Sequence, residues 1–282
     1  MHPFEKLLTD HAETTRLGIF LGLLVLFGIL EFYLPRRKRH EGKKTLRWVS
    51  NLGLSVTNSL MLRFAFPLLA IGVSQIAKEN GWGVFNAFEV PYVVAFIGTL
   101  VVFDLVIYLQ HLVFHYVPVL WRLHRVHHTD VDLDVTSAVR FHFVEIALSM
   151  GIKMAVTLAL GAPALAILVF EIWLSAVAMF HHANLPIPSK VDRILRWFIV
   201  TPDMHRVHHS VRTEETNSNF SFNWPGWDRI FGTYTDQPRE GHEGMRIGLE
   251  EFRDDPDQRI DRLLVLPMMN RHTETPPSHG ST

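Results

Sequence analysis

The chain has 282 residues, 48% of them hydrophobic, a formal net charge of −1, 17 histidines and no cysteine. The balanced charge gives no bulk attraction to nucleic acid. The lack of cysteine excludes disulfides, a catalytic thiol, thiolate zinc sites and cysteine-held iron–sulfur clusters, so a bound metal must take imidazole or oxygen ligands.

Residues 1–16 form a polar lead, and the first apolar run extends from Leu17 to about Tyr33. It opens after polar residues and ends in a basic segment rather than a small-residue cleavage site. It therefore reads as a retained spanning helix, which needs about 20 apolar residues, and not as a cleaved signal peptide. Pro35 ends it, and Arg36, Arg37, Lys38, Arg39, Lys43, Lys44 and Arg47 follow. A basic excess beside a span places that loop on the cytoplasmic side. A second span is predicted within 51–77, interrupted by Asn58 and Arg63, and a third from about Tyr92 to His111.

Two more spans follow, Phe143 to Leu160 and Ala164 to Phe180, joined by Gly161, Ala162 and Pro163 as a helical hairpin with almost no loop. Lys153 and Glu171 lie nine residues either side of 162, so the hairpin brings two opposite charges to equal depth, where they should pair. Residues 181–252 are amphipathic and loop-rich, and 268–282 read as a disordered tail. The expected fold is all-α: a polytopic membrane helical bundle of about four to five spanning helices with a cytoplasmic histidine-rich cap. One membrane-embedded domain is expected over 1–267, with its histidine-motif core at about 95–235.

Eleven histidines lie between positions 111 and 209. With the basic loop inside, the order of spans puts all of them on that side. His111 and His115 are four residues apart, and the pentapeptide HRVHH occurs twice, as His124, His127, His128 and as His205, His208, His209. Residues three and four apart share a helix face, so each motif presents imidazoles to one ion. Eight histidines in three motifs exceed one coordination shell, which points to two metals. By spacing alone, zinc and iron fit equally well. Thr201 and Pro202 read as N-cap and first residue of a helix carrying the last motif.

Span three also carries Asp104 and Tyr108 on the stripe that leads to His111 and His115. Asp104 is a candidate to orient an imidazole or a water near the metals. In span five, Glu171, Ser175 and His182 share a stripe, which favours His182 as the ligand and leaves His181 to packing or a supporting role. His142 is a candidate ligand, and Arg140 and Glu145 a candidate orienting network. Asp104, Tyr108 and Glu145 are the candidate catalytic residues. Asp130, Asp132 and Asp134 lack the glycine and glutamate of a calcium loop and read as a solvated loop. The aromatic stretch 219–234 reads as a loop closing over the site or an interfacial anchor through Trp224 and Trp227, with Asn219 able to reach a ligand histidine.

The motifs HLVFH (111–115), HRVHH (124–128), RFHFVE (140–145), FHHANLPIP (180–188), TPDMHRVHH (201–209) and WDRIFGTY (227–234) together resemble the fatty acid hydroxylase superfamily, also called the sterol desaturase family. Phe143 stands where that family usually has proline. The resemblance implies an integral membrane oxygenase with two non-haem iron ions held by histidines. Such enzymes use O2 to hydroxylate or desaturate C–H bonds of a membrane lipid and take electrons from a separate donor of the reductase, ferredoxin or cytochrome type. Carried over by position, the ligands are His111, His115, His124, His127, His128, His182, His205, His208 and His209, with His142 in the arginine–histidine–glutamate segment. The competing reading is a di-metal (zinc) lipid hydrolase in which Glu145 or Asp104 acts as base.

Overall fold

A computed structural model describes residues 3–38, 43–66 and 69–270. The helices are α1 (Pro3–Asp10), α2 (Ala12–Tyr33), α3 (Lys44–Ala65), α4 (Ala70–Glu79), α5 (Val84–Ala87), α6 (Tyr92–Tyr116), α7 (Pro118–His128), α8 (Phe143–Leu160) and α9 (Ala164–His182), followed by α10 (Ser189–Leu195), α11 (Pro202–His208), α12 (Thr213–Thr216), α13 (Gly226–Phe231), α14 (Gly241–Gly244) and α15 (Ile260–Val265). A 3₁₀ turn covers Val135–Val139. Among the described residues there is no strand, and a single bridge joins Ser210 to Ile247.

Five helical stretches are long and apolar enough to cross a membrane: α2, the Lys44–Ala87 stretch, α6, α8 and α9. Their outer faces stay apolar where they meet nothing, with Val25, Phe32, Phe64 and Val93 each more than half exposed, as lipid-facing surfaces require. Helix α9 is the central post. It packs on α2, α4, α6 and α11, and Phe170 meets Phe103 of α6 edge-on at 5.2 Å between ring centroids. The α8–α9 hairpin turns where expected: Gly161 caps α8 at φ +67°, a left-handed value that favours glycine. The Gly83 backbone lies so close that a Cβ there would fall 2.1 Å from the Gly161 nitrogen, and Ser74 Oγ donates to the Ala162 carbonyl at 2.5 Å.

The second span, expected within 51–77, is built from α3, which ends at Ala65, and α4, which starts at Ala70, with 67–68 outside the described residues. The sequence expectations fail at two other places. The expected tail at 268–282 starts too early. Arg125 donates to the Met269 carbonyl and Arg122 to Asn270 Oδ1, at 2.6 Å each, and the remainder, 271–282, lies outside the described residues. The aspartates after the second histidine motif are not a solvated loop, because Asp130 and Asp134 are fully buried.

That last correction involves the basic segment. Arg47 is 1% exposed and donates to Asp130 at 2.5 Å and to Asp134 at 3.2 Å, with Trp48 and Asn51 completing the shell around both acids. Arg140 adds bonds to the Val126 carbonyl, Asn51, Thr129 and Gln258. Burial alone would raise the Asp130 pKa, but Arg47 and Arg140 outweigh it and hold the group down to about 2. Arg36 and Arg37 also dock inward, through their backbone N–H groups onto Asn184. The segment that reads as a solvated charge run thus ties α3 to the histidine-bearing end. Removing one partner of a buried ion pair leaves an uncompensated charge, so Arg47→Met should cost about 3–5 kcal/mol of stability. Denaturant unfolding in detergent measures it, and a variant as stable as the parent would show that the network holds nothing.

Candidate metal centre

Four elements bring the histidines to one end of the bundle. The last turns of α6 carry His111 and His115, α7 carries the first HRVHH, the end of α9 carries His182, and α11 carries the second HRVHH. Thr201 caps α11 through Met204 N at 3.4 Å with Pro202 in its first turn, as the sequence indicates. The side chains form two groups: His111, His115, His124, His128 and His208, and His127, His182, His205 and His209. Within each, one nitrogen per residue lies within 4.8 Å of all the others. The groups adjoin, since the His128 and His209 rings stack at 4.6 Å between centroids.

The hydrogen bonds of Nδ1 fix what Nε2 can do. A carbonyl oxygen only accepts, so a neutral imidazole whose Nδ1 lies against one keeps its proton there and leaves Nε2 bare. His111 Nδ1 donates to the Phe220 carbonyl and His208 Nδ1 to the Ser218 carbonyl, both at 2.7 Å. His115 Nδ1 donates to Asn217 Oδ1 at 3.1 Å, and His124 Nδ1 to Glu145 Oε1 at 2.6 Å. Four of the five rings in the first group therefore present lone pairs inward. The bare Nε2 atoms of His111 and His124 stand 3.1 Å apart. In the second group His182 Nδ1 donates to the Ala178 carbonyl at 2.7 Å, and its bare Nε2 lies 3.1 Å from the Nε2 of both His127 and His205. His209 Nε2 follows at 3.2 Å from that of His205.

Two buried lone pairs at such separations repel unless a cation lies between them. Nitrogens about 2.0–2.1 Å from one ion are themselves roughly 3 Å apart, so the spacing fits a shared metal. His115 Nε2, His208 Nε2 and both nitrogens of His128 are buried with no hydrogen-bond partner, a cost that ligation removes. Burial first, and the neighbouring imidazoles second, hold His127, His128, His205, His208 and His209 well below the ordinary histidine pKa. These rings are neutral and ligand-competent at neutral pH.

Other candidates sit elsewhere. His142 is not brought to either group: its Nδ1 accepts from Val144 N at 3.3 Å as the N-cap of α8, and its Nε2 donates to the Leu264 carbonyl at 3.1 Å. Asp104 does not reach an imidazole. It accepts from Asn223 and Trp227, each at 2.8 Å, and so ties the aromatic loop to α6. Tyr108 touches Thr233 at 3.0 Å. Asn219 does not contact a histidine; at φ +53° it donates to the carbonyls of Met204 and Thr235, pinning the loop to α11. Glu145 does hold an imidazole, while Arg140 braces the loop behind α7 rather than acting with it. His181 stacks face to face on His205 at 4.0 Å, and neither of its nitrogens has a hydrogen-bond partner.

Sequence reasoning missed the residues that hold the loop carbonyls still. Asp228 accepts from Phe220 N at 2.8 Å, Ser221 N at 3.1 Å and Thr233 Oγ1 at 2.7 Å. It stands in the WDRIFGTY motif, but its partners are backbone groups that no spacing rule names.

A cavity of about 1220 Å³ opens beside the site. His111, His124 and Glu145 form one end of its lining, and Phe20, Leu24, Ile107, Phe114 and Met179 line its apolar wall. Glu145→Gln keeps the shape but removes the charged acceptor of the His124 N–H, so metal affinity should fall about 10–100-fold, read by competition with a chelator. Glu250→Gln, at an exposed carboxylate that pairs only with Arg246 among the described residues, should leave that affinity unchanged. Equal losses in the two variants would remove the special role of Glu145.

The fatty acid hydroxylase family matches residues 96–233. Among curated proteins, the chain is 26% identical over 239 residues to an ornithine lipid hydroxylase of Rhizobium tropici, covering 81% of this chain and 70% of the relative. It is 25% identical over 230 residues to a cholesterol 25-hydroxylase-like protein of Danio rerio, covering 76% and 86% of the two chains. It is 24% identical over 184 residues to the alkylglycerol monooxygenase of Xenopus tropicalis, covering 61% of this chain and 38% of that relative's length. No solved structure gives a significant match. The family match falls on the segment that carries both histidine groups, and together with these relatives it supports the fatty acid hydroxylase/sterol desaturase superfamily and an enzyme of the lipid hydroxylase or monooxygenase class.

Proposed function

We propose that the two histidine groups hold two iron ions and that the protein uses O2 to hydroxylate or desaturate a C–H bond of a membrane lipid, drawing electrons from a separate donor. The observation that carries this reading is the pairing of the bare, buried Nε2 atoms of His111 and His124, 3.1 Å apart, on the lining of an apolar cavity. When bound, the metal pair supplies the O2 chemistry. The nine ligands are His111, His115, His124, His128 and His208 for one ion and His127, His182, His205 and His209 for the other.

The chain's own residues have three tasks. Glu145 and the carbonyls of Phe220 and Ser218 hold the Nδ1 protons of His124, His111 and His208, which keeps each Nε2 directed inward. Aromatic rings exclude water: Phe141 stacks on His127 at 4.4 Å, and Phe222 lies 5.0 Å from His111. The apolar cavity wall positions a methylene chain against the ligand end. Asp104 and Tyr108 act through the aromatic loop they hold, not on the substrate.

The membrane-facing helices and the lipid-hydroxylase relatives favour a lipid substrate over a soluble one. They also disfavour a zinc hydrolase. The basic segment at 36–47 supports a cytoplasmic histidine end, and the packing of Arg37 and Arg47 onto that end places it beside the site. One domain over 1–267 accounts for the packing of α15 under α3.

The test is metal analysis of the purified protein together with lipidomics of cells with and without it. Iron near two per chain is expected, with a lipid that gains one oxygen or loses two hydrogens only when O2 is present. His127→Ala and His208→Ala, one from each group, should each lower product by more than about 100-fold. Stoichiometric zinc with O2-independent activity would overturn the reading.

A further inference from the structure

Three charged side chains that meet one another interrupt the apolar lining of the cavity. Glu171 of α9 accepts from Lys153 of α8 at 2.9 Å and from Arg16 of α2. Two cations meet one anion, so the cluster carries a net charge of one positive. Among the described residues, Arg16 and Lys153 each donate one N–H, to Glu171. An ammonium has three donors and a guanidinium five, so most of their N–H groups have no acceptor among the described residues. Both residues line the cavity. An ion pair placed only to close a bundle would be neutral; this one leaves an unmatched cation with free donors facing open space inside spanning helices.

We propose that Arg16 and Lys153 bind the anionic oxygens of a lipid head group, carboxylate or phosphate, with the methylene chain running from there to the histidines. This rests on the lipid-oxygenase reading and names the class of substrate. The depth fits a chain. Glu171 precedes His182 by eleven residues and Lys153 follows Glu145 by eight, which at the helical rise is about 12–16 Å. The wall between is apolar, built from Phe20, Leu24, Ile107, Phe114, Leu174 and Met179. A charged group crossing it would lose its hydration without a partner, whereas a hydrocarbon tail crosses freely. The head therefore stops at the cations, and the carbons at the histidines lie on the order of ten bonds away. The way in is lateral. Helix α2 packs along α9 and α3 along α8, and Leu21 and Leu60 line the cavity from the two sides of the space between them. Of the other charged residues on the lining, Glu145 holds His124 at the histidine end, and the exposed Glu13 and Arg63 carry opposite charges.

The experiment uses the full-length, metal-loaded protein in phosphatidylcholine nanodiscs. Pyrene-labelled dodecanoic acid and its methyl ester are titrated, with energy transfer from tryptophan as the readout. The acid should bind about tenfold tighter than the ester. Lys153→Met and Arg16→Gln should each remove most of that preference without changing ester binding, and Lys153→Arg should keep it. Displacement of the acid by lysophosphatidic acid better than by laurate assigns the anion to phosphate, and the reverse order to carboxylate. Equal binding of acid and ester by the parent overturns the site, and that comparison stands even if a variant fails to fold. An oxygen introduced beside the head group overturns the orientation. Binding needs no turnover, so a protein that prefers the acid yet forms no oxygenated product sinks the oxygenase reading and leaves the site standing.

Discussion

The structure depends on where the histidine protons are held. A ring in a membrane protein's polar cap is free to present either nitrogen. Here a carbonyl, an amide oxygen or a carboxylate sits against Nδ1 of His111, His115, His124, His182 and His208 and decides the matter. Each of these bonds is modest in net energy, but together they force bare Nε2 atoms toward common points. The protein then carries an electrostatic conflict in its interior that a cation relieves. Metal affinity in this design comes as much from the acceptors behind the rings as from the rings themselves.

Those acceptors must be rigid to do this, and much of the polar cap serves that end. The Phe220 and Ser218 carbonyls lie on a loop with no regular structure. Asp228 gathers its N–H groups, Asn219 pins it to α11, and Asp104 ties it to α6. Behind α7, Arg47, Asp130 and Arg140 form a buried network that fixes the other side. Buried charges are costly unless every donor and acceptor is met, and these acids are surrounded by donors. The cost is met at the site where sub-ångström placement of imidazoles matters most.

The spans, the hairpin and the histidine groups were legible in the sequence because each rests on a local period. Apolar run length gave α8 and α9, the helical face rule gave the HRVHH ligands, and the symmetric depth of Lys153 and Glu171 gave their pair. What the sequence hid is whatever depends on partners distant in the chain. The Arg47–Asp130 bond joins residues 83 positions apart, and Asn223 meets Asp104 across 119. A run such as Asp130, Asp132, Asp134 has the composition of a solvated loop, and only the arrival of Arg47 makes it core. His142 shows the converse. Its place in a recognised motif made it a candidate ligand, while its position before α8 makes it a cap with both nitrogens engaged.

The same logic links the two ends of the cavity. At one end, acceptors hold the imidazole protons on Nδ1 and leave an excess of Nε2 lone pairs that needs a cation. Elsewhere on its lining, Arg16 and Lys153 leave an excess of donors that needs an anion. An apolar interior amplifies both, since neither excess has water to settle on. The helices α8 and α9 carry part of each, Glu145 and His182 at one level and Lys153 and Glu171 at the other. Because both levels are set on the same two helices, joined by a rigid glycine turn, the distance between them is a property of the hairpin rather than of any loop. A molecule that satisfied the cationic level would have its chain measured against the metal level by that hairpin, so the choice of carbon would be fixed by helix geometry before any chemistry began.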